Sequence, residues 1–211
     1  MPDSGGPSRH ARLRAGLAAA LAAAAPDDPT LCEGWEARHL AAHVLTRQRS
    51  PRIHSPAFWA LADRAQDPAV YADLVARVAA PPPRLSPSAW AGNLMNVTEF
   101  FVHAEDVRRG PRDVPSRALD DDVVASLWRQ LGLAGRLSYR GAAPGVLLVA
   151  PGVGRRRVSR PHHGAGTVVV TGEVGELVLH ASGRGRHAHV AVEGTDADVA
   201  ALDAVQPGPP V

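Results

Sequence analysis

The sequence predicts an α+β protein in which a four-helix bundle, residues 8–110, precedes a smaller α+β domain, residues 116–205. Three observations predict it. Up to Arg109 apolar residues recur at helical spacing between Pro-containing breaks. From Gly110 to Pro115 the texture changes, which marks a domain boundary. Beyond Leu137 short Val-rich runs alternate with Gly- and Pro-bearing turns, the pattern of strands. A length of 211 residues suits one good core or two small ones.

Each element follows from local signals. Residues 1–7 have the composition of a disordered start. Ser8 caps a first helix that runs to about Ala25 with Leu13, Leu17 and Leu21 on one stripe, and Pro26 stops it. A short loop, Thr30 to Gly34, feeds a second helix over about 35–49, ended by Pro51. Residues 50–67, with His54, Phe58 and Trp59, read as a Pro-broken connection packed over one end of the bundle. Asp67-Pro68 opens a third helix to about Ala80, and the prolines at 81–83 close it. The fourth runs from about Ala89 to Arg109. A fifth amphipathic helix, about Leu119 to Leu137, starts the second domain. Strands follow at 145–150, 156–160 and 167–171, then a helix at 173–181, a strand at 187–192 and a helix at 196–204. The loops between the strands are too short for helical crossovers, so an antiparallel sheet is expected.

Composition excludes several classes. The 23 basic residues are all Arg, spread along the chain and matched by 21 acids for a net charge of +2, so the chain lacks a nucleic-acid footprint. The apolar stretch 13–25 falls short of the roughly 20 residues that span a bilayer, so no membrane association is expected. A single Cys32 and no evident secretion signal fit a cytoplasmic protein.

The chemistry-bearing residues concentrate in two helices. In Asn96–Gly110 the residues Glu99 and His103 stand four apart and Asp106 three further on, so all three share a helix face. Phe100, Phe101 and Val102 surround them, which places the pair at the edge of a core. In the second helix His43 lies among Leu40, Ala41, Ala42, Val44 and Leu45. Two imidazoles and a carboxylate from His43, Glu99 and His103, with coordination positions left open, form the ligand set of a catalytic divalent-metal site. Asp106 either accepts from His103, fixing its tautomer, or pairs with Arg108 or Arg109. His39 and His43 lack the Glu of a zincin helix, since Leu40 follows His39, and His39 reads as a surface residue. Cys32 reads as a nucleophile near a helix start or, more commonly for an isolated Cys, a small buried hydrophobe. Arg155 to Arg157 read as a solvated hairpin, and His162, His163, His187 and His189 as exposed.

Three segments also carry a family resemblance: LCEGWEARHLAAHV at 31–44, NLMNVTEFFVHAEDVRRG at 93–110 and VTGEVGELVLHASGR at 170–184. In this order and spacing they resemble the mycothiol-dependent maleylpyruvate isomerase family and its shorter DinB-like metal-binding branch, over about residues 8–204. The resemblance implies a DinB-like bundle holding a divalent metal, usually zinc, on His43, Glu99 and His103, followed by a sterol-carrier-like domain. It also implies that Arg184 holds the substrate and that mycothiol is the thiol cosubstrate. The implied function is a metal-dependent isomerase or S-transferase acting on a small electrophile, as a monomer or homodimer. A non-catalytic module binding metal and a small ligand is the alternative, favoured if Asp106 or His54 closes the site as a fourth ligand.

Overall fold

The computed structural model describes residues 7–47, 55–81, 93–110 and 114–205. Residues 1–6 of the disordered start expected over 1–7, the end of the second helix at 48–49, the start of the fourth at 89–92, His54, and the Pro-rich tail lie outside them. The chain divides into two compact units, the first to Arg112 and the second from Asp113. Among the described residues the architecture is α+β, with eight α-helices and one four-stranded sheet.

The first unit contains five described helices rather than four: α1 Arg9–Ala22, α2 Ala37–Arg47, α3 Pro56–Arg64, α4 Pro68–Ala79 and α5 Asn93–Arg109. Helix α1 packs on α4 and α5, and α2 packs on α3 and α4. The expected stripe is real, because Leu13, Leu17 and Leu21 are all buried. Ser8 caps α1 by accepting from the Ala11 amide, and Asp67 caps α4 by accepting from Ala69 at 2.8 Å. Helix α3 replaces the expected connection. Its start has the same logic as that of α4, an N-cap followed by Pro: Ser55 Oγ accepts from the Phe58 amide and Pro56 opens the helix. Its Phe58 is fully buried and stacks on Trp35 with centroids 5.3 Å apart.

Polar anchors tie the helices together inside this core. Arg14 is buried, lies 5.2 Å over the Phe100 ring and donates to the Ala80 carbonyl at 2.7 Å. The Tyr71 hydroxyl donates to the Leu21 carbonyl at 2.7 Å. On α5 the fully buried Glu105 takes both Arg108 and Arg109. At the end of α5, Gly110 lies so close to the loop before α2 that a Cβ would fall on the carbonyl oxygen of Pro29.

The second unit runs α6 Asp121–Ser138, β1 Gly145–Ala150, β2 Gly154–Ser159, β3 Thr167–Thr171, α7 Val174–Leu179, β4 Ala191–Glu193 and α8 Asp196–Asp203. The sheet order is β2-β1-β3-β4. β1 pairs antiparallel with β2 but parallel with β3, from Gly145 opposite Thr167 to Val149 opposite Thr171, so the sheet is mixed rather than antiparallel. The physical reason is that β2 and β3 are not neighbours. The chain leaves β2 at the end where β1 begins and hops across that end, with the His162 amide donating to Ala143 and the Gly145 amide to Gly166. A short loop suffices because successive strands still run oppositely, and no helical crossover is needed. The expected strand at 187–192 is reduced to Ala191–Glu193, since Gly185–His187 forms a tight helical turn.

Helix α7 continues as a wide turn over His180–Arg184 and leaves helical geometry at Ser182 and Gly183. Gly183 has φ +81°, the left-handed conformation in which a helix end commonly places glycine. Its turn is held from α6: the Tyr139 hydroxyl donates to Nδ1 of the buried His180 at 2.6 Å. Burial therefore keeps this imidazole neutral, pulling its pKa down to about 4, an effect the Asp203 charge partly offsets.

Two outcomes follow from this packing. Between pH 6.5 and about 4 the unfolded chain binds a proton at residue 180 that the native state refuses, so stability falls on acidification through that window. In urea titrations the decline is expected to be shallower in His180→Gln than in the wild type by about 3 kcal/mol, the worth of such a pKa difference; parallel curves would contradict it. Gly110→Ala, which forces the Pro29 backbone away, is expected to cost about 1–3 kcal/mol by the same measurement at pH 7.

Candidate metal centre

Helix α2 turns His43 inward because five neighbours on that helix, Leu40, Ala41, Ala42, Val44 and Leu45, are themselves buried. The Trp35 ring lies 5.1 Å from the His43 ring and walls it. From α5, Glu99 and His103 project one turn apart between buried Phe100, Phe101 and Val102. The two imidazoles meet edge to face at 5.3 Å. One ligand atom from each of His43, Glu99 and His103 lies within 4.8 Å of the others. The structure thus brings together the three residues that the sequence singled out.

The donor set fits a divalent ion. An ion with bonds of about 2.1 Å draws tetrahedral donors to roughly 3.4 Å from one another, so side-chain adjustment is enough to close these three around it. The tautomer of His103 is set in advance. Its Nδ1 lies 3.0 Å from Oδ2 of Asp106, a residue with no exposed surface, and donates to it, leaving Nε2 for a cation. Of the two roles open to Asp106, the structure therefore shows the bond to His103, while Arg108 and Arg109 go to Glu105.

Cys32 completes this arrangement. It is buried, and its thiol donates to the same Asp106 oxygen at 3.3 Å. The Leu31 amide donates to the backbone carbonyl of Asp106 at 3.0 Å, as does that of Gly110 at 3.1 Å. Cys32, His103 and Asp106 form a second close group of potential ligands that shares His103 with the first; among the described residues no further such group occurs.

Glu99 is the electrostatically exposed point of the cluster. Burial raises its pKa, opposed by the nearby positive charge of Arg47 and by His103. Arg47 Nη2 stands 3.2 Å from Glu99 Oε2. Sequence reading missed Arg47, although it lies four residues beyond His43 and so on the same helix face.

The remaining candidates fall elsewhere. His39 is buried rather than at the surface: its Nδ1 accepts from the Glu36 amide at 3.2 Å, its ring meets Trp59 edge-on, and burial lowers its pKa. The N-terminal turn of α2 folds the ring back onto its own start, which spacing alone does not reveal. His162, His163, His187 and His189 are exposed. Arg155 and Arg157 are exposed on β2, while Arg156 lies 4.9 Å over the Trp128 ring. Arg184 is buried in the second unit, in the turn after α7, and donates to the Ser182 carbonyl. That unit also has an open cavity of about 270 Å³ lined by Arg117, Leu119, Val124, Ala150, Val153 and Val174 among others.

Fold and cluster together define a class: a helical unit bearing a two-His, one-carboxylate set, followed by an α+β unit with a small mixed sheet. The crystal structure of the mycothiol-dependent maleylpyruvate isomerase shares this fold, with a TM-score of 0.59 and 20% identity over 95% of this chain and 93% of that one. A histidine-to-alanine mutant of the mycothiol-dependent maleylpyruvate isomerase matches equally, with a TM-score of 0.58 and 20% identity over the same shares. No family model matches the chain, and no curated protein matches it in sequence.

If Asp106 sets the His103 tautomer, Asp106→Asn is expected to weaken zinc binding about 10- to 100-fold. A competition titration against a zinc-chelating dye reads this directly, and an affinity equal to that of the wild type would remove Asp106 from the site.

Proposed function

We propose that this protein is a divalent-metal-dependent enzyme, using zinc and a thiol cosubstrate such as mycothiol, that isomerises or S-conjugates a small electrophile. The observation that carries the reading is the convergence of His43, Glu99 and His103 within 4.8 Å, with His103 oriented by a buried carboxylate. The shared fold with a mycothiol-dependent isomerase supports the thiol. In this reading residues 8–110 are a DinB-like bundle and residues 116–205 a sterol-carrier-like domain. The protein acts in the cytoplasm as a monomer or homodimer. Among the described residues no helix is long and apolar enough to cross a membrane.

A divalent ion held by His43, Glu99 and His103 would supply the Lewis acidity that lowers the pKa of a thiol. The chain's own residues do the rest. His43 and His103 present neutral imidazole nitrogens, which requires that Asp106 hold the His103 proton on Nδ1. Glu99 contributes the negative charge that offsets part of the ion's. Phe100, Phe101, Val102 and Trp35 keep water from the back of the cluster. For isomerisation the sulfur adds to a carbon of the substrate's double bond, the resulting single bond rotates, and the sulfur leaves with its electron pair, so no atom is gained or lost. For transfer the carbon–sulfur bond persists and a proton from the thiol accompanies the adduct or the departing group. Arg184 is assigned to a carboxylate of the substrate on the family resemblance, a task suited to a guanidinium.

The test begins at the metal. Elemental analysis of the purified protein is expected to give about one zinc per chain, as a three-residue open site requires, and His43→Ala, Glu99→Ala and His103→Ala to lose it while keeping their circular dichroism. A wild type that takes up no metal on reconstitution would sink the reading.

A further inference from the structure

Arg47 stands out among the residues that the proposed chemistry does not use. It lies one turn beyond His43 on α2, and its guanidinium crosses to Glu99 on α5, 3.2 Å away. The Glu99 side chain is only 10% exposed, whereas that of Arg47 is 37% exposed. The guanidinium therefore bridges the cluster and the solvent. Among the described residues Glu99 is the one acid it pairs with.

A carboxylate this deeply buried needs a positive partner. His43 and His103 do not supply one in the form that ligates a metal, because a ligating imidazole is neutral. Without a divalent ion, Arg47, 3.2 Å away, is the larger of the two compensating charges at Glu99, ahead of His103. An ion bound by the three donors brings two charges at about 2 Å and claims the carboxylate more strongly than a guanidinium at hydrogen-bonding range. Arg47 is the partner that gives way at low cost, since its side chain is already more than a third exposed to water. It then stands as an unpaired cation beside a positive centre, at the solvent side of the cluster. That charge pattern is complementary to an anionic group, and the planar fork of arginine matches a carboxylate at two points.

We infer that Arg47 is the resident cation of this site: it holds Glu99 until a divalent ion displaces it, and then receives a carboxylate of the incoming small molecule. The inference rests on the metal-centre reading above. It makes Arg47 a positioning residue in one state and a specificity-determining residue in the other, selecting carboxylate-bearing electrophiles.

Zinc affinity of the metal-free protein, read by dye competition, and succinate binding to the zinc-loaded protein, read by calorimetry, test the two halves. With the competitor removed, Arg47→Ala and Arg47→Gln are expected to bind zinc roughly three- to tenfold more tightly than the wild type, and Arg47→Lys to stay near it. Succinate binding is expected to weaken roughly tenfold in the Ala and Gln variants and to be partly kept by Lys. Zinc affinity unchanged or weakened in both neutral variants would overturn the displacement, and unchanged succinate binding would overturn the recognition. Either result, in a wild type that binds zinc, leaves the metal centre standing. A wild type that binds no zinc takes down both the centre and this inference.

Discussion

The carboxylate of Asp106 is the constraint on which the first unit depends. It has no exposed surface, and a buried charge is tolerated only when its acceptor sites are filled. His103 and Cys32 fill them from two different parts of the chain, one from the same helix and one from the loop ahead of α2. The backbone of the same residue takes the Leu31 and Gly110 amides, so side chain and main chain fasten the same loop. That loop ends where α2 begins, and α2 carries His43. One residue outside the His43, Glu99 and His103 cluster thus ties the helix that carries one imidazole to the loop that leads into the helix carrying the other.

Much of the site was legible in the sequence because its logic is local. Glu99, His103 and Asp106 lie on one turn-spaced face, and helical periodicity alone groups them. His43 stood out because an imidazole among five apolar neighbours is costly unless it is used. What periodicity does not encode is which side chains cross between helices. Arg47 reaching Glu99 and Cys32 reaching Asp106 depend on tertiary placement, and each had an equally good local reading as a solvated helix end or a small hydrophobe. His39 shows the converse, a polar residue near a helix start that packs inward against Trp59.

The fold followed the same division. Helices with strong caps and stripes are readable, whereas the Ser55-Pro56 start of α3 reads locally as a break as readily as a beginning. In the second unit the strand segments β1 and β3 coincide with the Val-rich runs, but their pairing does not follow from loop length. Loop length limits the relative direction of successive strands, not their adjacency. β1 is flanked by both β2 and β3, and Leu148, Val146, Val168 and Val170 are buried as a result, a centre of the sheet that the sequence presents as three equivalent strands.

The shared oxygen of Asp106 has a consequence for how such a site can change over time. Because a thiol and an imidazole lean on one acceptor, substitutions at residues 32, 103 and 106 do not contribute independently, and their effects on stability are coupled. Exchange of Cys32 for a residue without a donor removes the thiol's bond and leaves that of His103 on the same oxygen. The three residues therefore form a unit of epistasis, and a lineage that alters one is driven to compensate at the others.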